Sequence, residues 1–341
     1  MREREVLALI CSGLTNRRIA DTLSISTTTA ERHVHNILTK LCCANRAEAA
    51  AIATRLTQAP TNGHAPPANG NSALQSAMAP KRPVVRFLQA GDGAPLAWTS
   101  IGSGPPVVLV PNFPFCHVSL IDQLLPDWFE SMSARATLTW YDSRGCGLSQ
   151  RESADFRLER QVEDLHAVLA SLPLTQPPVL CCLGNGSPVG IRYAALYPNA
   201  LSHLVIIDGW ATAADLRGMT SQRVADALSG VEWKTYTEVI AGLSKGYGAG
   251  DEVVRYASFI RECVSPEGNQ AAESAMSRYD VTEDLPNVRA STLVLHSPAH
   301  RWRPPSAGER IAHAIPRARF AHVPVSFSAD GASQVLDFIS H

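Results

Sequence analysis

Val179-Leu180-Cys181-Cys182-Leu183-Gly184-Asn185-Gly186 is a five-residue apolar run that ends in a glycine-bounded turn. Its length and unbroken apolarity suit a strand buried on both faces, and Gly184 and Gly186 mark the place where the chain leaves it. The residues from Gly190 to Leu196 then read as a helix, and Leu204-Val205-Ile206-Ile207 as the next strand. Strand, turn, helix, strand within about thirty residues is the unit of a parallel sheet. Working outward, Val107 to Val110, Ala136 to Tyr141 and Leu293 to Leu295 supply further strands. Leu158 to Leu172, Ala307 to Ile315 and Gln334 to Ile339 supply helices to cover the faces. An α/β fold with a largely parallel sheet follows. Between residues 209 and 288 the strand signal vanishes. A helix-rich insert with Trp210, Trp233, Tyr236, Tyr247, Tyr256 and Phe259 is expected there, as a lid over a pocket at the strand C-termini.

This body occupies residues 84–341 of a 341-residue chain, so length leaves room for a second unit ahead of it. With 45% hydrophobic and 18% charged residues the composition is that of a globular protein, which excludes disorder throughout. No apolar run reaches the ~20 residues of a membrane helix, and Met1-Arg2-Glu3-Arg4-Glu5 holds no apolar signal core, so a cytoplasmic address and no membrane partner are expected. The eight cysteines form no pair of CxxC arms; reduced, mostly buried thiols are expected, with no metal site and no cofactor.

Residues 58–83 lose hydrophobic periodicity and fill with Pro, Gly, Asn, Ala and Ser, as in Pro60-Thr61-Asn62-Gly63-His64-Ala65-Pro66-Pro67, and read as a flexible linker. Ahead of it, residues 1–57 carry apolar positions at helical spacing: Val6, Leu9 and Ile10, then Ile19, Ala20 and Leu23, then Ala30, Val34, Ile37 and Leu41, then Ala47, Ala50 and Ile52. Four short helices are predicted, the first ended by Gly13 and the third capped by Ser26. Burying Ala30, Val34, Ile37 and Leu41 turns Thr28, Glu31, Arg32 and His35 outward. Residues 1–56 hold eight basic against five acidic side chains, while the rest of the chain is net acidic. A small basic head presenting donors and a cation near a helix start suits a DNA major groove.

Arg2-Glu3-Arg4-Glu5-Val6-Leu7, Gly13-Leu14-Thr15-Asn16-Arg17-Arg18-Ile19-Ala20, Ser24-Ile25-Ser26 and His33-Val34-His35-Asn36-Ile37-Leu38-Thr39-Lys40-Leu41 together closely resemble the LuxR-type helix-turn-helix. That resemblance implies an all-α bundle that binds double-stranded DNA. It places Glu31, Arg32 and His35 toward bases and Thr28 and Thr29 beside phosphates, and gives the last helix, from Arg46, a homodimer surface. The chain departs from the pattern twice. Glu31 stands where the family often has a basic residue, and a carboxylate accepts only from cytosine N4 while repelling phosphate. The turn that usually precedes Arg2 is missing, so the first helix begins uncapped, and either a low affinity or a start further upstream is expected.

In the body, Tyr141-Asp142-Ser143-Arg144-Gly145-Cys146-Gly147-Leu148-Ser149 and Tyr193-Ala194-Ala195-Leu196-Tyr197-Pro198 with Leu204-Val205-Ile206 resemble the α/β-hydrolases from about Phe87 to the C-terminus. In that family a GxSxG turn exposes a serine beside a histidine base and a backbone oxyanion hole. Counting back from Tyr193 sets Cys182-Leu183-Gly184-Asn185-Gly186 on the motif, so the nucleophile position is Gly184. The acid position after the strand ending at His296 falls on His300, in a loop without a carboxylate, and the histidine position after the last strand falls on Ser328. All three triad positions therefore lack their chemistry. The resemblance still sets Asn112, Phe113 and the backbone of Asn185 where oxyanion donors belong, near Trp210, and Gly184 is expected to widen the cavity mouth.

The expected protein is a DNA-binding transcriptional regulator. Its degenerate hydrolase-like body senses a small, partly apolar ligand with a carbonyl or carboxylate group, or holds two chains together. The alternative is a serine hydrolase with a displaced site such as Ser187 with His300 or His322.

Overall fold

The computed structural model describes Val6, residues 16–23, 25–30, Val34, 83–151, 155–217, Met219, Leu228, 232–245 and 250–340. The chain divides into two compact units, residues 1–80 and 81–341.

In the first unit α1 (Asn16–Leu23) is followed by a turn and by the start of a second helix at Thr27. Ser26 caps that start: its Oγ accepts from Thr29 N at 3.1 Å and lies 2.8 Å from Thr29 Oγ1. Val6, Ile19, Ala20, Ala30 and Val34 are buried, the apolar positions that the helical spacing selects. Thr28 is exposed and Thr29 half-buried. Glu31, Arg32, His35 and residues 58–82, where the linker is expected, lie outside the described residues.

The second unit is built on β1 (Arg86–Gln89), β2 (Pro95–Ile101), β3 (Pro106–Val110), α2 (Pro126–Ser133), β4 (Thr137–Tyr141), α3 (Leu158–Ser171), β5 (Val179–Leu183), α4 (Ser187–Leu196) and β6 (His203–Ile207). It continues through α5 (Trp233–Lys245), α6 (Asp251–Cys263), α7 (Pro266–Met276), β7 (Ser291–His296), α8 (Pro305–Ala314), β8 (Ala318–His322) and α9 (Ala329–Ile339). One eight-stranded sheet runs in the order β1-β2-β4-β3-β5-β6-β7-β8. β1 and β2 are antiparallel to their neighbours, and every pairing from β4 through β8 is parallel. This is the α/β architecture expected, with three strands, β1, β2 and β8, beyond the five read from apolar runs.

Helices cover both faces. α3, α4 and α8 bury Leu165, Val168, Ile191, Ala194 and Ile311 on one side. α2 and α9 bury Trp128, Phe129, Met132, Val335 and Leu336 on the other. β5 sits centrally and all five of its residues are buried, which is why its apolarity is unbroken. β1 and β2 escaped the sequence reading for a physical reason. β1 is an edge strand with three of four residues exposed, and β2 opens on a proline inside a glycine-rich stretch.

Between β6 and β7 lie α5, α6 and α7, the helical insert that the lost strand signal predicts. α5 and α6 pack through Tyr236, Ile240 and Ile260, with Trp233, Tyr256, Phe115 and Trp302 against them. Phe115 and Trp302 belong to the loops after β3 and β7, so the insert docks on the C-terminal edge of the sheet. Among the described residues no helix is long and apolar enough to cross a membrane.

Candidate functional site

The parallel strands β3, β5, β6 and β7 all end on this edge, and their loops meet under the insert. Leaving β5, Gly184 takes φ +50° and Ser187 begins α4, so the sharp strand-to-helix elbow is retained around a residue with no side chain. Glycine adopts that left-handed backbone without steric cost.

The region above Gly184 is filled. A Cβ built there would lie 2.4 Å from Asn112 Oδ1, 2.7 Å from Arg303 Nη2 and 2.8 Å from Arg303 Cζ. The widened cavity mouth expected from the glycine is thus replaced by an arginine from the loop after β7. Arg303 Nη2 donates to Asn112 Oδ1 and Asn185 Oδ1, both at 2.8 Å. Asn185 Oδ1 also accepts from Trp210 Nε1 at 3.1 Å, and Asn185 Nδ2 donates to Phe113 O at 2.8 Å. These bonds fix both amide orientations, because Asn185 must turn its oxygen to two donors and its nitrogen to a carbonyl.

Asn112, Phe113, Gly184, Asn185 and Trp210 are therefore brought together, but not as an oxyanion hole. The Asn185 backbone N–H already donates to Asn112 Oδ1 at 3.0 Å, so the donor expected to face a ligand is spent inside the protein. Phe113 is buried and stacks on Phe156, with Tyr279 tilted against it.

His300 lies in the same cluster. Its Nδ1 accepts from the backbone N–H groups of Trp302 (3.2 Å) and Arg303 (3.1 Å). Burial, aided by the Arg303 charge, pushes its pKa down to about 4, so at neutral pH the ring is uncharged and its proton sits on Nε2. That Nε2 is 3.9 Å from Asp208 Oδ2 and 3.4 Å from Arg303 Nη1. Asp208 is the only described non-glycine residue with positive φ, at +49°, and its Oδ1 accepts from Ser297 N at 2.8 Å. Burial pulls the Arg303 pKa down, opposed by the Asp208 charge. His296 is buried too, its Nε2 at 3.2 Å from Arg303 O.

The remaining triad-register residues stand elsewhere. Ser328 caps α9, accepting from Gly331 N at 3.2 Å and donating to Val325 O at 2.7 Å. Ser187 is buried and donates its hydroxyl to Gly184 O at 2.7 Å, while His322 is exposed on the edge strand β8. The displaced pair is not assembled: among the described residues no serine hydroxyl is hydrogen-bonded to a histidine ring. Nor, among them, are three His, Cys, Asp or Glu side chains grouped to hold a metal.

Asp208 and Arg303 were missed by the sequence reading. Asp208-Gly209 directly after the apolar Leu204–Ile207 run was a usable signal, since a carboxylate at the C-terminal end of a parallel strand faces the site. Arg303 offered none, because its partners lie 118 and 191 residues away.

These shifts set a pH dependence. His300, depressed from 6.5 to about 4, contributes stability that is complete above pH 6.5 and drains as pH falls toward 4, where the unfolded ring gains a proton the folded one refuses. Asp142, raised by burial from 3.8 to about 7, acts oppositely: it burdens the fold above pH 7 and relieves it as pH falls toward 3.8. Each effect is on the order of 3 kcal/mol, so they offset one another in mildly acidic solution. Asp142→Asn should leave the acid loss uncompensated. Urea melts at about pH 7.5 and about pH 5 will show a larger stability difference in the variant than in the parent; equal differences would contradict the assignment.

Comparison with known proteins agrees with this architecture. Residues 1–53 match the family "Bacterial regulatory proteins, luxR family", and residues 105–231 match "alpha/beta hydrolase fold". The chain is 46% identical over 57 residues to the HTH-type transcriptional regulator MalT of Vibrio campbellii, covering 17% of this chain and 6% of that protein. It is 30% identical over 132 residues to the cis-3-alkyl-4-alkyloxetan-2-one decarboxylase of Shewanella oneidensis, covering 37% of this chain and 39% of that enzyme. It thus spans well under half of either relative. Among solved structures, a hydrolase from Pseudomonas aeruginosa superposes with TM-score 0.64 at 23% identity, covering 75% of this chain and 98% of that one. A bromoperoxidase from Bacillus anthracis gives 0.64 at 17%, covering 75% and 100%. The chain joins an N-terminal regulatory domain of the LuxR family to a C-terminal domain of the α/β-hydrolase fold.

Proposed function

We propose that this protein is a DNA-binding transcriptional regulator acting in the cytoplasm as a homodimer. Its hydrolase-fold body, residues 84–341, carries no hydrolytic chemistry and instead senses a small, partly apolar molecule or holds two chains together. The observation that carries the second half is the filled elbow: where a nucleophile's side chain would stand, Asn112 and the Arg303 guanidinium meet over a glycine. The first half is supported by the regulatory-family match and by the Ser26 cap that opens the proposed recognition helix. Thr28, Thr29, Glu31, Arg32 and His35 are its proposed DNA contacts. Ligand control of such a regulator requires different affinities for the DNA-competent and incompetent arrangements, and a linker over residues 58–83 transmits association better than rotation.

Fluorescence anisotropy of the full chain on a short random-sequence duplex tests the head. Kd at physiological salt is expected at about 10⁻⁴ to 10⁻⁶ M, tightening steeply as salt falls. Arg32→Ala should weaken binding without altering the fold. No binding at low salt would refute the DNA-binding reading.

A further inference from the structure

Arg303 holds its charge in a place that only partly answers it. The residue is 91% buried and its Nε–H has no hydrogen-bond partner among the described residues. Nη2 is satisfied by Asn112 and Asn185, but among the described residues Nη1 meets only His300 Nε2, and that nitrogen carries the imidazole proton because Nδ1 is occupied by two backbone donors. Two donors thus confront one another at 3.4 Å. The nearby carboxylate, Asp208, has committed Oδ1 to Ser297 N, and its Oδ2 stands 3.9 Å from the imidazole, beyond hydrogen-bond length. A buried donor without an acceptor costs roughly 1–3 kcal/mol, more for a charged group. The missing complement is an acceptor.

The surroundings describe the rest of the occupant. Trp302, adjacent in sequence, and Tyr256 belong to the aromatic cluster packed between the insert and the sheet edge, with Phe115 and Trp233. The Arg303 guanidinium and the His300 Nε2–H, with the Asp208 carboxylate near them, thus adjoin packed aromatic side chains. Neutral polar ligands would answer the donors poorly, and a second cation would be repelled.

We propose that Arg303, with His300 Nε2–H, anchors the carboxylate of a small organic acid whose apolar part lies on Phe115, Trp233, Tyr256 and Trp302. This rests on the body being ligand-responsive, and it moves the anchor from the Asn185 backbone, already engaged, to a side chain with donors to spare. A planar guanidinium holds a carboxylate more firmly than a lone amide N–H can.

Calorimetric titration of the full-length protein with 3-phenylpropionate and, separately, with 3-phenylpropanamide decides it without any variant. The acid should bind at least about tenfold more tightly than the isosteric amide and raise the melting temperature, since a ligand that binds only the folded state stabilises it. Equal affinity, or no heat from either, would overturn the proposal and leave the open donors to water. Arg303→Gln should abolish the preference for the acid, and Arg303→Lys, which keeps the charge if the first variant misfolds, should reduce it while retaining its direction; an unchanged preference in the folded variants would also overturn it. Failure here with intact DNA binding removes only the anchor. Ester turnover would remove the regulator-only reading of the body whether or not the acid binds.

Discussion

Gly184→Ser should yield a protein that is less stable by about 2–5 kcal/mol and still does not turn over an activated ester. A β-carbon at this position meets Asn112 Oδ1 at 2.4 Å and the Arg303 guanidinium at 2.7 Å, both inside van der Waals contact. Each of those groups is pinned by others: Asn112 by the Asn185 N–H, Arg303 by two amide oxygens. Overpacking of this kind costs about 1–3 kcal/mol, and a left-handed backbone at φ +50° adds about 1–2 kcal/mol for a residue with a β-carbon. Gly184→Ala, which lacks the hydroxyl, should lose nearly as much, because the clash is with the β-carbon. Urea midpoints of both variants measure this. Parental stability, or a catalytic gain in the serine variant, would mean that the space is open after all.

The second large effect lies in the turn after β4. Arg144→Met should destabilise the body by about 3–5 kcal/mol. Arg144 Nε and Nη2 grip Asp164 at 2.6 and 2.5 Å in a bidentate pair, and Nη1 reaches Asp92 Oδ2 at 2.9 Å. The Arg144 and Asp164 side chains are almost wholly buried, so removing the arginine strands a carboxylate of α3 in an apolar setting. Burial already pushes the Asp164 pKa up despite its partner. Replacing both, as Arg144→Met with Asp164→Leu, should recover much of the loss, since apolar replacements of a buried pair are often neutral. Thermal melts of the single and double variants form the cycle; a single variant within about 0.5 kcal/mol of the parent would contradict it.

What could be read in advance followed from where each residue packs. β5 was legible because a central parallel strand has no polar face to interrupt its apolar run, and the insert because losing strand patterning for some eighty residues leaves helices as the alternative. β1 was not, since an edge strand can afford Arg86, Phe87 and Gln89 in the open. Register with the hydrolase pattern gathers Gly184, Asn112, Phe113, Asn185 and Trp210, which the structure brings together, but what they do together was not legible. A vacant nucleophile position looks the same in sequence whether the space stays empty or is occupied from afar. Arg303 fills it from a different loop, and Asp208 approaches from the end of β6 rather than from the loop where a carboxylate was sought. Ser328 at the histidine register turned out to be a helix cap, a role for which serine is common and which local sequence can suggest.

In the proposed function the elbow of this hydrolase fold is sealed by Arg303 and holds no activated nucleophile. Intact-protein mass spectrometry after prolonged exposure to a serine-directed fluorophosphonate, run beside hydrolysis of a short activated ester, tests it most directly. The expected result is an unchanged mass and hydrolysis at the rate of buffer alone. A stoichiometric adduct on Ser187 or any other serine, with ester turnover that the adduct abolishes, would contradict the account.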